Sequence, residues 1–256
     1  MAYHRSARTL AGGLLALLFG LAGRAHAVDG VIEINQARAT KGGITPGDMP
    51  GFPITISTGP LFAQPMSFKL TGPLFISTTD DVIDIQSPFV TIDLNGFMIT
   101  GTCAMPPCMG TAILSTQDSI TVMNGTVRGF AAGVDLSGSS ARIENMHAFA
   151  NTLGLRASNY CIVRNNVSSS NTEDGIRTGP GCTIVGNTTG GNGADGIQSG
   201  SGCNVIENTA RNNMGFGLKL ATTTGYSHNV LTNNMMGNVD SGVSGGGNLC
   251  DGAACP

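Results

Sequence analysis

Tryptophan is absent from this 256-residue chain, only 5% of its residues are aromatic, and 11% are charged. So few charges leave the surface to be covered by Ser, Thr, Asn and Gly, and so few aromatics disfavour strong stacking of sugars. No cluster of basic residues occurs, which argues against a nucleic-acid partner. The one long apolar run, LAGGLLALLFGLA, falls short of the roughly 20 residues that cross a bilayer. It follows Arg5 and Arg8 and precedes Ala25-His26-Ala27, a small-x-small cleavage pattern, so residues 1–27 read as a secretory signal. That predicts a secreted or periplasmic protein with no transmembrane segment after cleavage. Removing the three arginines of this segment leaves ten basic against sixteen acidic residues, a net charge of −6.

What the chain does have is a repeat of 21 residues between Ala132 and Gly237, the fifth rung carrying one extra. Its rungs read AGVDLSGSSARIENMHAFANT, LGLRASNYCIVRNNVSSSNTE, DGIRTGPGCTIVGNTTGGNGA, DGIQSGSGCNVIENTARNNMG and FGLKLATTTGYSHNVLTNNMMG. Gly133, Gly154, Gly175, Gly196 and Gly217 stand second in their rungs, each followed by Val134, Leu155, Ile176, Ile197 or Leu218. A period of this length implies stacked units that bury their apolar faces against one another. Helical units are excluded, because each interior glycine costs about 1 kcal/mol relative to alanine. Short runs such as GIR and CTIV between turn residues have the chemistry of strands. The expected fold is all-β: a single-stranded parallel β-helix of about 21 residues per coil, with caps at both ends.

In such a fold, equivalent residues lie about 4.8 Å apart and each column of the repeat becomes a ladder. The aliphatic column forms the core. Asn145, Asn166, Asn187, Asn208 and Asn229 hold the fourteenth place and predict a structural ladder of inward amides that also tolerate a left-handed corner; Asn171, Asn192, Asn213 and Asn234 predict a second. Cys161, Cys182 and Cys203 share another column. They lack paired spacing and a histidine, so buried thiols are expected over a metal site, with a bond between neighbouring rungs left open. Residues 28–73 read as an N-terminal cap and first strands, 74–240 as coils, and 241–256 as a disulfide-tied tail. Cys103 and Cys108 bracket the insert CAMPPCMG and predict a disulfide-closed loop; Cys250 and Cys255 repeat the spacing and predict a staple over the C-terminal end.

At the rungs with D-G-I, C-x-x-x-x-N and a trailing N, and at VTIDLNGFMITG, the chain resembles the right-handed parallel β-helix repeat proteins. These include pectate lyases, polygalacturonases and NosD-like periplasmic copper-maturation proteins. The resemblance implies a fold; the shared residues are the ladders that hold coils together. The G-H-G and R-I-K sets of the polygalacturonases and the W-I-D-H signature of the lyases are missing.

Two outward features remain. Asp135, Arg156, Arg177, Gln198 and Lys219 occupy the fourth column; if stacked, they form a short basic strip beside an Asp135–Arg156 pair, suited to an acidic polysaccharide, with a solvated sheet face of long side chains as the alternative. Glu173, Asp174 and, one coil on, Asp195 suit Ca²⁺ or an acid–base pair, although D-G before a strand is also turn chemistry. No other metal or cofactor is implied. His147 and His228 share no column, and Met146, Met214, Met235 and Met236 read as core or loop fillers. The favoured function is a non-catalytic exported solenoid that binds carbohydrate or cell-surface material. Its rivals are a polysaccharide lyase or hydrolase and a NosD-like metal-maturation accessory.

Overall fold

A computed structural model describes residues 30–57, 66–104 and 106–255. The signal assigned to residues 1–27, with its His26, lies outside these. The chain winds through two parallel sheets, one of nine strands and one of eighteen, so each full coil adds one strand to the first and two to the second. About nine coils stack in this way. The only helix among the described residues is Gln36–Lys41, whose N-cap Asn35 accepts the Arg38 N–H at 3.0 Å.

The nine-stranded sheet shows why the repeat folds so. One row of it runs Ile54, Ile83, Ile113, Val134, Leu155, Ile176, Ile197, Leu218 and Val239, each in register with the next. All but Val239 are fully buried. Strand alternation then turns the following residue outward and the one after it back in, as in Ile176–Thr178. Each buried aliphatic contributes about 1.5–3 kcal/mol, so the column forms the spine of the core.

Two asparagine ladders line the corners. Asn166, Asn187, Asn208 and Asn229 are buried, and each Nδ2 donates to the Oδ1 of the next at 3.0–3.1 Å. Asn171, Asn192, Asn213 and Asn234 repeat this at 2.9–3.0 Å. The residues held left-handed are the ones just before the ladder: Asn165, Glu207 and His228 in the first, Ser170, Asn212 and Asn233 in the second. That corrects the expectation that the ladder amides themselves take the corner. Asn145 is corrected too. It is exposed with φ 52°, stacks on Asn124, and leaves its ladder place to the buried Met146, whose N–H donates to Asn166 Oδ1 at 2.8 Å. Its coil is one residue short of the period here, pairing Glu144 with Arg164 and His147 with Val167. The ladders also extend to residues the period does not reach: Asn151 opens the second and Asn248 closes the first.

The cysteines divide differently from expectation. Cys161 and Cys182 are joined by a disulfide across neighbouring coils, with Cα atoms 4.5 Å apart, and only Cys203 is a buried free thiol. Stacking alone brings the sulfurs within reach, which is why the expectation of three thiols fails. The column also has a polar use: Cys161 N–H donates to Cys182 Sγ at 3.1 Å, Cys182 N–H to Cys203 Sγ at 3.2 Å, and Cys203 N–H to Thr224 Oγ1 at 3.3 Å. Cys103–Cys108 closes the insert. Cys250–Cys255 ties the antiparallel pair Leu249–Cys250 and Ala253–Ala254 at the C-terminal end.

Candidate functional site

The outward row of the nine-stranded sheet places Asp135, Arg156, Arg177, Gln198 and Lys219 side by side on successive coils. The predicted stacking is therefore present, but the strip is not free positive charge. Arg156 reaches Asp135 Oδ2 at 3.4 Å, and Lys219 Nζ reaches Asp195 Oδ2 at 3.4 Å. Arg177 is held from two sides, by Asp174 at 2.8 Å and Glu173 at 3.4 Å. Burial pulls the Arg177 guanidinium down, and the Asp174 and Glu173 carboxylates outweigh it, so the group is lifted above its ordinary value. Three cations thus face four carboxylates, which corrects the reading of a basic strip built for polyanions.

Asp174 and Asp195 are equally committed. Both are buried at the coil boundary. Asp174 Oδ1 accepts the Asp195 N–H at 2.9 Å, and Asp195 Oδ1 accepts the Phe216 N–H at 2.8 Å, each clamping the next coil. The D-G turn reading accounts for these contacts, and each carboxylate is engaged at both oxygens, by a backbone N–H on Oδ1 and a cation on Oδ2. Among the described residues, no three His, Cys, Asp or Glu side chains converge in a metal-holding group. His147 lies on the outer face of the eighteen-stranded sheet and His228 at a corner, while Met214, Met235 and Met236 are exposed. Beside the row, Ser137, Arg156, Ala157, Ser158, Arg177, Thr178 and Gly179 line an open hollow of about 240 Å³.

A charged cluster that the repeat did not reveal lies on the eighteen-stranded sheet. Glu144, nearly buried, takes Arg142 Nη1 at 2.9 Å and Arg164 Nη2 at 2.7 Å. Its 20-residue offset from Arg164 hides the pairing from a 21-residue alignment. Burial pushes the Glu144 carboxyl up, but hydrogen bonds and charge from Arg164 and Arg142 prevail and hold it below the ordinary value. A carboxyl depressed on folding stabilises the protein above its unfolded value, near 4.5, and loses that contribution as pH falls through the folded value. Thermal melting from pH 7 to pH 3 should show a stability loss on the acid side that is reduced in Glu144→Gln. An unchanged acid profile in that variant would remove Glu144 from the account.

Residues 106–249, more than half of the chain, match the family model described as "Right handed beta helix region". The chain belongs to this family. Among curated proteins, none matches it in sequence. Among solved structures, this right-handed β-helix is similar to the A-module of the Azotobacter vinelandii mannuronan C-5 epimerase AlgE4. The two share 12% identity over 82% of this chain and 70% of that one, with a TM-score of 0.50. The AlgE6 A-module of the same organism matches at 12% identity over 70% and 61% of the two chains, TM-score 0.45. The Dettilon tailspike protein matches at 17% identity over 66% and 42%, TM-score 0.34. At these identities the likeness is one of fold.

Proposed function

We propose that this protein is an exported, non-catalytic glycan-binding β-helix whose polymer lies along the outward row from Asp135 to Lys219. The observation that carries the reading is the commitment of Asp174 and Asp195. Each would have to release a backbone N–H of the next coil, and a cation, before acting as acid, base or nucleophile. What the row offers instead is a fixed series of carboxylate, two guanidiniums, amide and ammonium on successive coils. Such groups give paired donors and acceptors to neighbouring hydroxyls without demanding a charged ligand. A polymer suits the row because its groups recur once per coil over five coils. One protein of similar fold is named as an epimerase of mannuronan, itself a polysaccharide, which is in keeping with such a ligand.

The test is a glycan array on the mature chain, followed by calorimetry on the strongest ligand and assays for new reducing ends and unsaturated products. Binding should weaken about thirtyfold when Arg156 and Gln198 are both changed to alanine, since each loses hydrogen bonds worth around 1 kcal/mol. Both side chains lie outside the buried clamps, so melting should be unaffected. Accumulating product with the wild-type chain would replace this reading with the lyase or hydrolase one. Full binding by the double variant would move the ligand off this row.

A further inference from the structure

The three cysteines of the repeat occupy one inward column, and Cys182 stands between the other two. Neighbouring residues pair in register across both steps, Ile162 with Thr183 and Thr183 with Asn204, so Cys161, Cys182 and Cys203 follow one another on successive coils. Other residues hold the flanking places. Ile162 N–H donates to Ala141 O in the coil before, and Cys203 N–H donates to Thr224 Oγ1 in the coil after, so the run of sulfur is three long. All three cysteines are buried. Cys161 and Cys182 form the disulfide, and Cys203 is the thiol left over.

The two steps are matched in their surroundings. Cys161 N–H donates to Cys182 Sγ at 3.1 Å and Cys182 N–H to Cys203 Sγ at 3.2 Å, so the Cys203 sulfur sits against Cys182 as the Cys182 sulfur sits against Cys161. The carbonyls facing the sulfurs match as well. Cys182 Sγ lies 3.0 Å from Ser158 O, and the Cys203 thiol donates to Gly179 O, one coil on, at 3.2 Å. The Cα atoms of Cys161 and Cys182 are 4.5 Å apart. In-register stacking puts Cys182 and Cys203 about 4.8 Å apart, also within reach of a disulfide. Cys161 and Cys203, two steps and about 9.6 Å apart, are beyond that reach. Cys182 is therefore the only member of the column with two possible partners. Stacking also runs the three sulfurs along the coil axis, and displacement at sulfur needs attacking, central and leaving atoms in line.

We propose that this disulfide is mobile: Cys182 is bonded to Cys161 in some molecules and to Cys203 in others, and the two forms interconvert by thiol–disulfide exchange. The Cys203 thiolate attacks Cys182 Sγ and the Cys182–Cys203 bond forms. The Cys161–Cys182 bond breaks, and Cys161 leaves as a thiolate that takes up the proton Cys203 gave up. One disulfide and one thiol are present before and after, so no oxidant or reductant takes part. The exchange moves the covalent tie one coil toward the C-terminal end, from the step between the coils of Arg156 and Arg177 to the step between those of Arg177 and Gln198. The odd cysteine thereby has a use, since the coils stay tied whichever end of the column holds the thiol.

The experiment maps the free thiol of the full mature chain. Unfolding in acidic guanidinium stops exchange, a maleimide caps the thiol, and peptide mass spectrometry locates it. The label should divide between Cys203 and Cys161, with on the order of a tenth or more on the minor site, since matched sites differ by less than tenfold in occupancy. The two acid-trapped isomers, separated by chromatography and returned to neutral solution without oxidant, should each relax to the same mixture within hours. Cys161→Ser should form the Cys182–Cys203 bond completely and melt within a few degrees of Cys203→Ser, which can form only the Cys161–Cys182 bond. Cys182→Ser should hold two free thiols, because its neighbours cannot reach each other. Label on Cys203 alone would overturn the proposal, as would isomers that stay as they were isolated. So would a Cys161→Ser chain that keeps two thiols under the oxidant that closes the bond in Cys203→Ser. Label on Cys182 would show the column reduced and would overturn it as well. Should a serine variant fail to fold, the wild-type map decides by itself.

Discussion

Asn187→Ala is expected to lower the stability of this protein by about 3–5 kcal/mol, a third or more of what a domain normally has. Asn187 is buried and uses its amide fully. Nδ2 donates to Val163 O at 2.8 Å and to Asn208 Oδ1 at 3.0 Å; Oδ1 accepts both the Asn166 N–H and Asn166 Nδ2 at 3.0 Å. Alanine removes all four bonds and leaves polar groups of the coils on either side without partners, in a place water does not reach. Each such orphan costs about 1–3 kcal/mol, and partial relaxation keeps the sum below the arithmetic total. The matched control is Asn145→Gly, which gives up one exposed bond and supplies a residue at ease with φ 52°, so its change should stay within about 1 kcal/mol. Urea melting of both variants decides the matter, with hydrogen exchange at residues 163–187 as a local readout. Equal losses at the two positions would show that the amide ladder does not carry the coil stacking.

Gly196→Ala should cost about 2–3 kcal/mol, and for a different reason. A Cβ there would lie 2.6 Å from Thr189 Oγ1, 2.7 Å from Gly217 O and 2.8 Å from Asn213 Nδ2. Two of these are parts of the frame itself, a stacked backbone carbonyl and an amide of the second ladder, so the clash cannot be relieved by turning one side chain. Overpacking of this kind runs to about 1–3 kcal/mol before any ladder bond is lost. It is offset only in part by the reduced freedom of the unfolded chain. Gly72→Ala gives the contrast: its nearest neighbour would be Asn35 Cβ at an ordinary 3.8 Å, and the change should be neutral or mildly stabilising. A melting temperature for Gly196→Ala equal to that of Gly72→Ala would mean the glycine column is not a packing requirement.

Much of this was legible in the residues. Columns of Gly, aliphatic and Asn at a fixed period require in-register stacking, and the register of Asp135, Arg156, Arg177, Gln198 and Lys219 follows from the period alone. What escaped was set by turn length and by side-chain reach. The coil holding Asn145 is short by one residue in the second sheet, so a match at 21 falls on the corner residue instead of the ladder. Asn248 closes the first ladder 19 residues after Asn229, because the last turn is tighter. The pairing of Arg177 with Asp174, three residues earlier, depends on where a long side chain folds, and no periodicity records that. The contact of Arg128 with the Phe149 ring, 5.7 Å from its centroid, was hidden for the opposite reason. The column they share runs Thr100, Arg128, Phe149, Ser169, Gly190, Arg211 and Thr232, so no one residue type marks it.

One property of the asparagine ladders is common to all their rungs, from Asn151 and Asn166 to the C-terminal end. Every amide points the same way, its NH₂ toward the C-terminal coil and its oxygen back toward the N-terminal one. Stacked head to tail, these dipoles give the solenoid a polarity, with its positive pole at the C-terminal end. The second ladder meets that pole with an acid: Asn234 Nδ2 donates to Asn238 Oδ1 at 3.0 Å, and Asn238 Nδ2 to the Asp251 carboxylate at 2.7 Å. The short tail after the coils is thus an electrical terminus as well as a steric lid. Two such rods could be joined end to end with their amides in line only tail to head, and only after Asp251 had let go.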